Sequence, residues 1–247
     1  MPIESIESQP TASPGSRAHL LFTLDGQGNL LTANEHAGAV APFVYIHRGE
    51  AGSSAHFRAD APPELRDSVA RLLAASPPNA GWENASPLGE ALRSLVREFL
   101  TAPALYHGPV FRFPPPLMAP MGAMLFYPGN APLLHPGLAT LGPELRYRRP
   151  AYAVMRQGQA VSICYTARAS AHAAEAGVET VETYRGQGCA QLAVDAWASA
   201  VRARRLSPRY STSWENTASL AVARKLELVA IGEDIHVSAT ELASRNA

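Results

Sequence analysis

The sequence predicts an α/β (α+β) chain: a central mixed, mostly antiparallel sheet flanked by helices, preceded by a small α+β unit. Three observations predict it. Short runs at 20–24, 30–33, 43–47, 152–155, 161–165, 178–182 and 209–213 read as strands bounded by turn residues. Apolar residues recur at helical spacing over 62–73, 87–100 and 217–226, and along a helix ending near 205. Between the strand at 178–182 and that helix stands the glycine turn Tyr184-Arg185-Gly186-Gln187-Gly188-Cys189-Ala190.

Taken in order, residues 1–17 read as a disordered tail, without the basic-then-apolar layout of a signal peptide. The strands at 20–24 and 30–33 flank Asp25-Gly26-Gln27-Gly28-Asn29, whose Gly and Asn supply the positive φ of a hairpin loop. A strand at 43–47 and a turn at 49–53 follow. Pro62 and Pro63 open a helix with Leu65, Val69, Leu72 and Leu73 on its apolar face. After a Pro/Asn/Gly break at 76–81, a second helix over 87–100 carries Leu88, Leu92, Leu95, Val96 and Phe99. Residues 18–102 thus read as an N-terminal α+β domain and 103–247 as the main domain.

The stretch from 103 to 132 is proline-rich, with a short strand at 110–113. Its Leu117, Met118, Met121, Met124, Leu125, Phe126 and Tyr127 call for burial, as a connector or as an apolar cleft wall. A short helical region at 133–145 precedes the hairpin about Gln157-Gly158-Gln159. Further on, Ala193, Val194, Trp197 and Val201 share one helix face, and residues 229–237 close the chain with one or two strands.

Composition narrows the function. Of 247 residues, 21 are basic and 21 acidic, so the formal charge is zero and bulk electrostatics supplies no nucleic-acid or membrane partner. Lys225 is the sole lysine. The two cysteines, Cys164 and Cys189, make no disulfide framework and fit a reducing, cytoplasmic setting. The uncharged run 113–143 contains too many prolines for one membrane helix. No metal-ligand pattern stands out, and a monomer or homodimer is expected.

The glycine turn carries the chemistry. A strand turning sharply into a helix leaves the first helical N–H groups without partners, and with the helix dipole they suit a pyrophosphate. Gly186 and Gly188 let the backbone take unusual φ angles and approach phosphate closely, and Arg185 adds positive charge. No lysine follows as a P-loop requires, and Gln191 stands where a dinucleotide fingerprint needs its third glycine. A plain structural turn or the pattern R-x-x-G-x-[GA], met by Arg185, Gly188 and Ala190, remains.

With its context, the region resembles the GNAT superfamily of acyl-CoA-dependent acyltransferases. The resemblance covers strand, loop and helix over 177–206, then Tyr210-Ser211-Thr212-Ser213-Trp214-Glu215-Asn216 through Ser219 to Lys225-Leu226-Glu227-Leu228. It implies the GNAT fold for 103–247, acetyl-CoA as cosubstrate, and two splayed strands at 178–182 and 209–213. Backbone groups near Val181 and Thr183 would bond the pantetheine, and amides from Gln187 through Gly188, Cys189 and Ala190 to Gln191 would hold the pyrophosphate. Asn216, with Ser219 in the same motif, would face the cofactor. The implied activity is direct transfer of an acetyl or short acyl group to an unidentified primary amine; the alternative is a catalytically silent acyl-CoA-binding module.

The attacking amine must lose a proton, and Glu179, then Glu175, are the candidate bases because their even spacing puts both on one strand face. A solvated strand edge is the other reading of the pair, and His172 is a weaker candidate. Two departures from the family stand out. Ala223 occupies the position where many members carry the tyrosine that protonates the leaving thiolate, which leaves Tyr165, Tyr184, Tyr210 or water for that role. Glu227 stands where a glycine often ends the helix. Cys189 reads as a small loop residue rather than a nucleophile, Cys164 as core, and Trp197 and Trp214 as packing residues, with Trp214 close enough in sequence to Asn216 to touch the cofactor.

Overall fold

The computed structural model of this chain describes residues 16–36, 38–76, 84–115, 122–238 and 241–242. Residues 1–15, most of the break at 76–81, and Leu117, Met118 and Met121 lie outside the described residues.

Arg17, expected in the tail, opens a helix instead. Ser16 caps α1 (Arg17–Leu21), its side chain accepting the His19 amide, and Ala18, Leu20 and Leu21 are buried. Only then does strand β1 (Phe22–Leu24) begin, pairing antiparallel with β2 (Leu30–Ala33). The loop between them is held by the Asp25 carboxylate, which accepts the Gln27 and Asn29 amides at 2.8 Å each. Strand β3 (Val44–Gly49) turns back into β4 (Gly52–Phe57). β4 escapes a periodicity reading because Gly52, Ser53 and Ser54 are exposed and carry no apolar signal.

Helix α2 (Pro63–Ala75) has Pro62 as its N-cap; α3 (Leu88–Val96) stops short of Leu100, which joins the two-residue strand β5 (Leu100–Thr101). The short strand expected at 110–113 is the end of a nine-residue one, β6 (Ala104–Arg112). Strand β7 (Met124–Phe126) buries Phe126, while Met124, Leu125 and Tyr127, expected to be buried, are exposed at the sheet edge. Two 3-10 segments, Pro128–Leu133 and Pro136–Glu144, occupy the region read as helical.

The hairpin of β8 (Ala151–Arg156) and β9 (Gln159–Ala169) turns through Gln157 at φ 50° and Gly158 at φ 80°. Strand β10 (Ala173–Thr180) starts and ends earlier than expected, because a 3-10 turn, Glu182–Tyr184, takes over the segment read as its end. Then come α4 (Cys189–Ala203), β11 (Ser207–Ser211), α5 (Thr217–Lys225), β12 (Val229–Ser238) and β13 (Glu241–Leu242).

Nine strands form one sheet in the order β4-β3-β12-β6-β11-β10-β9-β8-β7, in which only β10 and β11 are parallel. β6 therefore sits between β11 and β12, and β7 pairs with β8 at the far edge of the sheet. Because β12 pairs with both β3 and β6, the sheet runs across the boundary drawn at residue 102.

Side-chain alternation divides the core between two faces. On one, α2 and α3 pack on Val44, Ile46, Ile235 and Val237, and α4 packs on Val154, Cys164, Ala176 and Tyr210. Trp197 is fully buried there and donates its indole N–H to Thr166 at 3.1 Å. On the other face, α1 and the β1–β2 hairpin cover Tyr45, and the 3-10 segments cover Ala151, Ile163 and Tyr165. Among the described residues, no helix is long and apolar enough to cross a membrane.

Two measurements check this packing. Burial against Tyr106, ring centroids 4.6 Å apart, pushes the His236 pKa down to about 4; Asp234 opposes the shift and Arg168 adds to it. The folded value lies below that of the unfolded chain, so the stability of neutral His236 is full above pH ~6.5 and lost as pH falls toward 4. Thermal unfolding should show a loss of about 3 kcal/mol across that window, flattened in His236→Phe. Glu227 takes the left-handed conformation, φ 52°, that a glycine after a helix would take. Glu227→Gly should raise unfolding free energy by about 0.5–1 kcal/mol in urea, strain relief exceeding the added chain entropy.

Candidate functional site

The site begins where two strands part. β10 and β11 pair only at Ala173/Ser207, Ala174/Pro208 and Glu175/Arg209. Beyond that, β10 continues along β9 to Thr180, while β11 follows β6 through Ser211. The Val181 amide donates to the Val161 carbonyl at 2.9 Å. In an antiparallel ladder alternate residues turn their backbone groups to opposite sides. Residues 177, 179 and 181 thus face β9, and the N–H and C=O groups of Val178 and Thr180 face the gap. This corrects the expectation for Val181 and Thr183. The Val181 amide is taken by the sheet, and the Thr183 carbonyl accepts the Gln187 side-chain amide at 3.0 Å.

The glycine turn closes the open end of this gap. Gly186 and Gly188 have φ of 76° and 80°, and Gly188 is the N-cap of α4. The helical ladder starts with the Leu192 amide on the Gly188 carbonyl, so the amides of Cys189, Ala190 and Gln191 precede it. The Cys189 side chain is buried in the core beneath α4, as a small packing residue. Asn216 caps α5, its Oδ1 accepting the Ser219 amide at 3.0 Å.

A cavity of about 780 Å³ lies between β10, the turn and α5. Of the residues singled out in the sequence, Glu179, Val181, Arg185, Gly186, Gly188, Cys189, Ala190, Gln191, Asn216 and Ser219 line it; Thr183, Gln187 and Glu175 do not. Arg185 and Lys225 are its two cationic lining residues. Lys225 went unrecognised as a site residue. Its signal was the chain's sole lysine nine positions after the Asn216 cap, on the cavity side of α5.

The proton-transfer candidates separate sharply. Glu179 lines the cavity and accepts the Tyr165 hydroxyl at 2.9 Å. Burial, then the Glu179 charge, pushes the Tyr165 phenol up, against the opposing Arg148 guanidinium, so it stays a donor. The ring passes over Gly177, where a Cβ would lie 2.4 Å from Tyr165 Cε2. Glu175 shares that face of β10 but is not free to serve as a base. It is buried, ion-paired with Arg17, and accepts the Ser211 hydroxyl at 2.5 Å.

Tyr210 is committed to Ser219 Oγ at 2.5 Å, its phenol pushed up to about 12 by burial, while Tyr184 lines the cavity. Ala223 points into the core beneath α4, away from the cavity. His172 is exposed in the turn before β10. The Trp214 indole N–H is buried without a partner, and its ring meets His107 edge-on at 6.4 Å. Among the described residues, no three His, Cys, Asp or Glu side chains gather as a metal site.

Residues 150–232 match the family described as GNAT acetyltransferase. No curated protein matches the chain. Among solved structures, a GNAT-family protein from Novosphingobium aromaticivorans is 17% identical over 56% of this chain and 66% of its own, with a TM-score of 0.47. This chain thus spans just under two thirds of that protein. A GNAT-family acetyltransferase from Colwellia psychrerythraea is 10% identical over 74% and 75% of the two chains, TM-score 0.48. A GCN5-related N-acetyltransferase-like protein from Streptococcus suis is 15% identical over 80% and 84%, TM-score 0.45. Residues 150–232, about a third of the chain, thus match the GNAT acetyltransferase family, and this matched segment carries β8 to β11, α4, α5 and the glycine turn at the mouth of the gap between β10 and β11.

Proposed function

We propose that the protein transfers an acetyl or other short acyl group from coenzyme A to a primary amine. The observation that carries this reading is the meeting of three features in one cavity: strand amides without a sheet partner, a helix N-terminus capped by glycine, and two cations. The residues fit the cosubstrate. Amides of Cys189, Ala190 and Gln191, with Arg185 at the mouth, would take the pyrophosphate, and Lys225 a further phosphate. Val178 and Thr180 would offer the pantetheine a strand edge. When bound, acetyl-CoA supplies the activated acyl group.

In this reading Glu179 takes the proton from the attacking amine, directly or through water, and the Tyr165 hydroxyl holds its carboxylate toward the cavity. Position and orientation supply much of the remaining gain, and a gap-facing strand amide stabilises charge on the acyl oxygen. The thiolate leaves toward Tyr184, or water, for its proton, since Tyr165 and Tyr210 are engaged elsewhere.

Acetyl-CoA at a hundred times its Kd should stabilise the protein by about 2.7 kcal/mol in thermal unfolding. No shift at millimolar acetyl-CoA would sink the reading. Lys225→Ala and Arg185→Ala should each raise the KM for acetyl-CoA several-fold with kcat nearly unchanged, as for uniform binding. With an amine found by thiol-release screening, Glu179→Gln should lower kcat about a hundredfold or more while CoA affinity holds. Retained binding with no turnover across a broad amine panel would favour the silent acyl-CoA-binding module.

A further inference from the structure

At the point where β10 and β11 part, one buried side chain from α1 ties β10 to β12. Glu175, in the last parallel pair, reaches across to β11 and accepts the Ser211 hydroxyl at 2.5 Å. Arg17 of α1 ion-pairs with Glu175, its Nη2 lying 3.1 Å from Oε1, and its Nε donates to Asp234 Oδ2 on β12 at 2.9 Å. Asp234 is held in turn by the Tyr45 hydroxyl at 2.8 Å and His47 Nδ1 at 2.9 Å, both from β3. The side chains of Arg17, Glu175 and Asp234 are only 7%, 4% and 2% exposed. Such a buried ionic set demands its own geometry, because moving any member strands a charge in a medium of low dielectric.

We infer that Arg17 is a positioning residue of the acyl-CoA site: through Glu175 and Asp234 it fixes the separation at which β10 leaves β11. The consequence is local and specific. The next residue of β10 on this face is Gly177, and the next two whose backbone faces the gap are Val178 and Thr180. If the apex slips, β10 is free either to zip further along β11 or to swing away from it. In either case the unpaired edge of the cavity is lost. Neither Arg17 nor Glu175 touches the cavity, so the effect travels through the strand. The segment ahead of the family-matched region thereby becomes part of the site. The inference rests on the CoA reading above for its binding consequence, though not for its structural one.

The test compares full-length wild type with Arg17→Met, Arg17→Lys and the charge-neutral triple variant Arg17→Met/Glu175→Gln/Asp234→Asn. CoA affinity is measured by calorimetric titration, and amide hydrogen exchange is followed over residues 173–182 and 207–214. Arg17→Met should weaken CoA at least tenfold and speed exchange in both segments at least tenfold, with the far-UV spectrum retained. Arg17→Lys, which keeps the charge but not the fork, should recover part of both. The triple variant should regain thermal stability yet stay at least tenfold weaker for CoA, which a merely structural role would not produce. Should Arg17→Met fail to fold, the triple variant decides. CoA affinity within twofold of wild type in a folded variant, or unchanged exchange, overturns the inference. If wild type itself fails to bind CoA, the function reading falls, and the exchange comparison still decides the role of Arg17.

Discussion

Everything in the site depends on the parting of two parallel strands after Glu175 and Arg209. A parallel pair that continued would satisfy the backbone groups of Val178 and Thr180 within the sheet, and the cavity would not exist. The parting removes a few ladder bonds from the middle of a nine-stranded sheet. Exposed to a water-filled cavity, those groups cost little; buried without partners, each would cost on the order of 1–3 kcal/mol. The arrangement is tolerable because the cavity is open, and useful because a strand edge is then left for a ligand.

The surrounding structure compensates for the missing pairs. β9 holds β10 along its whole length on the other side, and β6 holds β11 through Arg112, Phe111 and Val110. Trp197, Ala193 and Val194 of α4 bury the opposite face of β9 and β10 in a dense apolar cluster. Burying a tryptophan of 150–250 Å² is worth roughly 4–6 kcal/mol at the usual area coefficient, more than the lost ladder bonds. On the remaining face the sheet carries charge where a core would ordinarily be apolar. Removing one partner from such a buried set typically costs about 3–5 kcal/mol, so Arg17, Glu175 and Asp234 stand or fall together.

Two carboxylates on one strand face therefore end in opposite roles. Glu179 has one protein partner, the Tyr165 hydroxyl, and opens onto the cavity; Glu175 has Arg17 and Ser211 and opens onto nothing. Their spacing is a property of the strand and is legible in the sequence. Their partners are not. Arg17 lies 158 positions from Glu175, and a residue that directly follows a Ser-Pro-Gly-Ser run reads as tail until a helix cap and a buried ion pair are seen. The same limit explains β6, whose place beside β11 depends on a pairing more than ninety positions away, and Ala223, whose side chain turns to the core by the rotation of α5 about its axis.

What the sequence determined by itself is the local chemistry. The left-handed positions at Gly186 and Gly188, the cap at Asn216, the apolar stripe of α4 and the hairpin at Gln157-Gly158 all follow from φ preferences and periodicity within a few residues. Those features single out the glycine turn and the segment that matches the family over residues 150–232. Which groups remain free depends on long-range pairing. Val178 and Thr180 are available because the register of β9 consumes Val181; Glu179 is available and Glu175 is not because Arg17 arrives from the other end of the chain. Local propensity selects what a residue is able to do. Long-range pairing, set by sheet register and by charges that must find partners when buried, selects which residues are left to do it.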